Sequence, residues 1–161
     1  MQLWLVRHAV AAERDEFDGP DAERPLTDKG RRRFRAFCEW LAGETTMPTI
    51  VATSPLLRAV ETAGLLAKAS GLKKSEIVST ALLAPGIDLK SLLGFVRDQP
   101  ADLVALVGHE PDLSHCLSEI AGGGEFAFGK GFVAAVEFAS SPAVGTGRLQ
   151  WFVGPKLGTG K

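Results

Sequence analysis

Short apolar runs of strand length alternate with stretches of helical periodicity along the chain, and this alternation limits the possible folds more than any other feature. The runs are LWLV at 3–6, TIVAT at 49–53, EIVS at 76–79, LVALV at 103–107, then FVAAVEF and RLQWFV near the C-terminus. The early runs are separated by segments long enough to carry a helix back across a sheet, as parallel strands require. The expectation is an α/β three-layer sandwich with a mostly parallel central sheet flanked by helices. A 45% apolar share of 161 residues suits one compact domain spanning 1–161. No internal repeat or linker divides it, only glycine-rich turns such as AGGGE at 121–125.

The helices can be placed from their stripes. Phe34, Phe37, Cys38 and Leu41 recur at i, i+3, i+4 and i+7, which predicts a helix opening at Thr27 as N-cap. A second is expected to start at Ser54 with Pro55 in its first position, where no backbone donor is lost, and to run to about Gly71. A third follows Gly86 in IDLKSLLGFV, and a fourth covers Pro111 to Ile120 with Leu113, Cys116, Leu117 and Ile120 inward. The tail from about 154, GPKLGTGK, lacks periodicity and is expected to be flexible.

Charge excludes several function classes. Eighteen basic and nineteen acidic residues leave a formal charge of −1, so nothing draws the whole molecule to nucleic acid or an anionic membrane. The basic stretch RRRFR at 31–35 surrounds Phe34 and reads as a solvated helix face. The first apolar run breaks at Arg7, too short for a signal peptide or a span, so a cytoplasmic protein is expected. Each of the two cysteines falls on the apolar side of a predicted helix and reads as a small hydrophobe. His8, His109, Cys38 and Cys116 have no metal-ligand spacing, so neither metal nor cofactor is expected. FGKG at 128–131 lacks the spacing of a nucleotide-binding loop, and His115 lies across its helix from the inner stripe, away from any chemistry.

The remaining polar residues share equivalent positions. Arg7 and His8 end the first run, Arg58 lies in the first turn after the second, and His109 follows the fourth in LVALVGHEP. Taken alone, LVRH reads as a solvated strand end, and Arg58 with Glu61 as an exposed i, i+3 ion pair. In an open parallel sheet, however, ligands bind beyond the carboxyl ends of the strands, beside helix N-termini, so these residues can share one crevice. Guanidinium forks match phosphate oxygens, making phosphate or sulfate the natural ligand. A histidine with a free lone pair can attack phosphorus and split one displacement into two. Nearby arginines oppose its protonation and stabilise the transferring charge.

At this point the residues resemble a known family, the histidine phosphatase or phosphoglycerate-mutase-like superfamily, whose Arg-His-Gly signature stands here as Arg7-His8-Ala9. Alanine at the third place is common in the SixA-type phosphohistidine phosphatase branch. The similarity continues through ERPLTDKG at 23–30, SPLLRAVETA at 54–63, VGHEPDLS at 107–114 and the GKGFVAAVEF strand. The resemblance implies His8 as nucleophile, with Arg7, Arg58 and His109 completing a phosphate pocket and Arg24 as a further arginine that can reach it. Glu61 is a candidate for supporting the pocket residues from behind.

Mutase and sugar-phosphatase members carry an acid after the third strand. Here STALLAPGIDLKSLL offers no glutamate, and Asp88 is the only nearby acid. A leaving imidazole needs less acid help than an alcohol, so a phosphohistidine-bearing protein, such as a phosphotransfer or phosphocarrier domain, is the favoured substrate. The proton is left to Asp88, Glu61 or solvent. The alternatives are a broad phosphomonoesterase or sugar-phosphate phosphatase, and a non-catalytic phosphate-binding regulatory module; an intact His8 argues against the last.

Overall fold

In the computed structural model, which describes residues 1–158, the six apolar runs form a single sheet. The strands are β1 (Gln2–Arg7), β2 (Ile50–Thr53), β3 (Val78–Ser79), β4 (Leu103–Gly108), β5 (Val133–Phe138) and β6 (Gly147–Val153), in the order β3-β2-β4-β1-β5-β6. The first four are parallel, while β5 runs antiparallel to β1 and β6 antiparallel to β5. Mostly parallel pairing explains the unbroken apolar runs, because both faces of the strands are covered. Trp4 and Val6 of β1 point into one cluster with Phe34, Phe37, Leu41 and Leu66, whereas Leu3 and Leu5 point into another with Leu92, Val96, Leu113 and Leu117.

Four helices make the outer layers: α1 (Asp28–Glu44) and α2 (Leu57–Ala69) on one face, α3 (Leu89–Arg97) and α4 (Asp112–Ala121) on the other. Thr27 caps α1 as expected, its hydroxyl accepting from Gly30 N at 2.9 Å. Gly30 itself is required by a close approach, since a Cβ there would lie 2.2 Å from the Val10 carbonyl oxygen. This contact seats the loop that follows His8 on the start of α1. Gly122, at φ 80°, supplies the left-handed residue that ends α4. Cys38 and Cys116 are free, buried and on opposite faces of the sheet.

Two expectations need correction. Helix α2 begins at Leu57 rather than beside Ser54, because Leu56 is extended (ψ 133°) and the Ser54 hydroxyl engages Leu56 N and His109 instead of capping a helix. The tail also departs from its expected flexibility: Gly154 and Pro155 are buried, and Pro155–Gly158 forms a short helix, α5, packed against α1. The rest of that expectation, 159–161, lies outside the described residues.

Candidate active site

The strand register assembles the site. Arg7 pairs with Gly108 and Thr53 with Val107, so His8, Ser54 and His109 leave three adjacent parallel strands at one level. The ladder continues one residue further, His8 N donating to Gly108 O at 3.1 Å and Ser54 N to Val107 O at 3.0 Å. The His8 and His109 rings lie with centroids 5.3 Å apart and planes at 52°. Around them opens a cleft of about 310 Å³ lined by Arg7, His8, Glu13, Arg14, Arg24, Arg58, Pro85, His109, Glu110 and Lys130. Five of the sequence-derived candidates, Arg7, His8, Arg24, Arg58 and His109, are therefore in one place.

His8 is buried, and its Nδ1 lies 2.8 Å from the Ala9 carbonyl oxygen. A carbonyl only accepts, so Nδ1 carries the proton and the lone pair is on Nε2. Burial drives the His8 pKa down to about 3, and the charges of His109, Arg58 and Arg7 push the same way against the Ala9 hydrogen bond. The ring is neutral at physiological pH. The next residue is held by its backbone, Ala9 N donating to Thr62 Oγ1 at 3.0 Å, while Thr62 Oγ1 donates to Arg58 O at 2.7 Å.

His109 lies 2.8 Å through Nε2 from Ser54 Oγ. That oxygen also accepts from Leu56 N at 3.3 Å; where its own proton goes to Nε2, the ring proton of His109 is on Nδ1. Nδ1 is buried and has no partner among the described residues. Burial, followed by the Arg58 charge, lowers the His109 pKa to about 4, against an opposing pull from Asp112. A neutral imidazole with a free N–H is a hydrogen-bond donor that does not add to the positive charge of the site.

The arginines are held from outside the cleft. Arg58 Nη1 donates to Asp21 O at 2.9 Å and Nη2 lies 3.1 Å from Asp21 Oδ2. Arg24 Nε donates to Asp21 Oδ1 at 3.0 Å and its Nη1 to Ala12 O at 2.7 Å. Asp21 thus anchors two arginines. Burial alone would raise its pKa, but the Arg24 hydrogen bond and the Arg58 charge hold it below the usual range. Arg7 Nη1 donates to Phe128 O at 2.5 Å. Burial lowers the pKa of Arg7 and Arg58, opposed by Glu110 and Asp21 respectively, yet guanidinium stays charged. The Nε atoms of Arg7 and Arg58 are buried without a partner among the described residues.

Two candidates stand elsewhere. Glu61 accepts from Leu26 N at 2.7 Å and pairs with Arg31 at 2.6 Å, so its partner is Arg31 of α1 and not Arg58. Its carboxylate fixes the RPLT segment from behind. Asp88 is the exposed N-cap of α3, accepting from Ser91 N at 3.0 Å and bonded to Ser91 Oγ, contacts that hold its carboxyl below the usual range. It faces a different depression, with Asp112, His115 and Cys116. Sequence reasoning missed Asp21, the link from Ser54 to His109, and Glu110, which lines the cleft beside the residues read as reactive. The cleft does hold carboxylates, Glu13 and Glu110, so the lack of an acid after the third strand does not by itself decide the leaving group.

Fold and cleft together define a phosphoglycerate-mutase-like α/β protein with an arginine- and histidine-lined crevice at the strand ends. The chain belongs to the histidine phosphatase superfamily, whose branch 1 model matches residues 3–83. It is 35% identical over 126 residues to an uncharacterised protein of Picosynechococcus sp. strain PCC 7002, covering 76% of this chain and 74% of that one. Among solved structures it matches the protein histidine phosphatase SixA complexed with tungstate, with TM-score 0.84, 26% identity and coverage of 96% and 97% of the two chains. A phosphoserine phosphatase from Entamoeba histolytica, in complex with phosphoserine, shares the fold at TM-score 0.69 and 15% identity over 96% and 98% of the chains. Both of these solved structures are phosphatases, and the likeness to SixA exceeds that to the phosphoserine phosphatase.

Proposed function

We propose that this protein is a metal-independent phosphatase that works through a phosphohistidine on His8 and removes phosphoryl groups from phosphohistidine on a protein partner. The observation that carries the reading is the surround of His8: a neutral ring with its lone pair on Nε2, in a cleft where Arg7 Nε, Arg58 Nε and His109 Nδ1 are buried nitrogens without partners among the described residues. Buried donors are otherwise paired almost without exception, so three at one site fit the oxygens of a bound phosphoryl group.

In the first half-reaction His8 Nε2 attacks phosphorus, and the bond to the leaving group breaks as negative charge shifts on the equatorial oxygens. Arg7 and Arg58 neutralise that charge, and His109 donates through Nδ1. Arg24, linked to Arg58 through Asp21, holds the rim of the phosphate site. Water then attacks phospho-His8. The two fixed cations supply the electrostatic stabilisation that a metal provides elsewhere.

The likeness to SixA and a cleft whose rim residues Glu13 and Lys130 are 60% and 33% exposed support a protruding phosphohistidine side chain as substrate. A broad phosphomonoesterase is the second reading, supported by the cleft carboxylates Glu13 and Glu110. The test compares wild type and His8→Ala on a phosphohistidine-bearing carrier protein and on p-nitrophenyl phosphate, each with EDTA. Rapid carrier dephosphorylation, slow ester hydrolysis and an inactive variant are expected. Loss of rate with EDTA removes metal independence, an active variant removes the nucleophile, and fast ester hydrolysis with an inert carrier selects the second reading.

A further inference from the structure

The proton of the attacking water needs a destination, and the structure narrows the choice. Of the carboxylates near the cleft, Asp21 is held by two arginines and Glu13 pairs with Lys130 at the exposed rim. Asp88 caps α3, Glu61 holds Leu26 and Arg31, and Asp112 accepts from Gly86 N. Glu110 differs from all of these. It lines the cleft with His8 and Arg7, and its Oε2 is anchored by Ser114 Oγ at 2.5 Å. Its Oε1 is buried and has no hydrogen-bond partner among the described residues. The Coulombic attraction of Glu110 supports the charge on Arg7, although no ion pair closes between them. A buried acceptor that is fixed at one oxygen and open at the other is placed to receive a proton.

We propose that Glu110 is the general base of the second half-reaction, an inference that rests on the phospho-His8 reading above. The water oxygen bonds to phosphorus while the bond from phosphorus to His8 Nε2 breaks, its electron pair returning to the nitrogen. One water proton passes to Glu110 Oε1, hydrogen phosphate dianion remains, and Glu110 returns its proton to solvent through the cleft. Because water enters where the leaving group departed, the same carboxylate also faces the departing nitrogen in the first half-reaction.

The experiment is rapid-quench labelling with phosphoramidate as phosphoryl donor, using wild type, Glu110→Gln and Glu110→Ala. Glutamine keeps the shape and the Ser114 contact but cannot take a proton. For Glu110→Gln, label on His8 is expected to accumulate because its hydrolysis slows by about 100-fold while its formation changes by less than about threefold. Formate is expected to restore hydrolysis in Glu110→Ala. Equal loss of formation and hydrolysis, with no formate rescue, overturns the proposal in favour of Glu110 positioning Arg7. Wild-type rates in Glu110→Gln overturn it outright. Wild type that turns over without label on His8 overturns the phosphoenzyme reading, and this inference with it.

Discussion

The core and the cleft of this protein follow opposite rules. In the core, side chains alternate between two apolar clusters, and substitution there acts through packing. In the cleft, polar groups are buried without being satisfied: Arg7 Nε, Arg58 Nε, His109 Nδ1 and Glu110 Oε1 are the buried side-chain atoms without partners among the described residues, and all four belong to residues that line it. Each such atom costs about 1–3 kcal/mol in the free protein. For the three nitrogens that cost is what a bound oxyanion relieves, whereas Glu110 Oε1, an acceptor, calls for a donor such as water. The contrast indicates that the core supplies the stability that the cleft does not.

The sharpest way to break this contrast is His8→Ala, which is expected to lower turnover by about four orders of magnitude or more while the melting temperature changes little. Steady-state rates on a phosphohistidine carrier, paired with thermal unfolding, check both halves. Arg58→Ala is expected to reduce kcat by about 100- to 1,000-fold. Asp21→Asn, which leaves Arg58 in the cleft but loosens its anchor, is expected to cost roughly tenfold, mostly in kcat.

Phe37→Ala tests the other side. It is expected to destabilise by about 3–5 kcal/mol in denaturant titration, with unchanged kcat per folded molecule. A large kcat loss without destabilisation would erase the distinction.

The pH dependence sharpens the comparison further. The native pKa values of about 3 for His8 and about 4 for His109 lie below the ordinary unfolded value of 6.5, so the unfolded chain binds more protons between these limits. Stability is therefore full above pH 6.5 and falls as pH drops toward 4. His109→Gln is expected to flatten that fall, as read by melting temperature against pH. Activity should persist at pH 5–6, where an ordinary imidazole is largely protonated, and fail near pH 4. The smallest effect belongs to Asp88→Asn, which retains a capping side chain and is expected to leave turnover unchanged.

Much of the fold was legible because it rests on local pattern. The strand runs and the stripes of α1, α3 and α4 record burial residue by residue, and Thr27 announces its helix through one hydroxyl. The meeting of Arg7, His8, Arg58 and His109 was legible because strand ends in a parallel sheet share one edge. Partnerships between loops were not. Asp21 meets Arg58 across 37 residues and Ser54 meets His109 across 55, distances over which no periodicity carries information. Ser54 illustrates the point: the same hydroxyl that reads as a helix cap in sequence serves a histidine on another strand. The i, i+3 pairing of Glu61 with Arg58 differs for a related reason, since helical spacing pointed to Arg58 while the packing of α1 on α2 brought Arg31 closer.

The register that seats the two histidines also sets how far apart they stand. Neighbouring strands in any sheet stand about 4.8 Å apart, and the 5.3 Å between the rings of His8 and His109 is close to that spacing. That spacing is set by the hydrogen bonds of β1 and β4, which no single side-chain replacement can widen. The two rings touch and form one continuous wall of the cleft, and the rim residues Glu13, Arg14 and Lys130 can vary while that wall stays fixed.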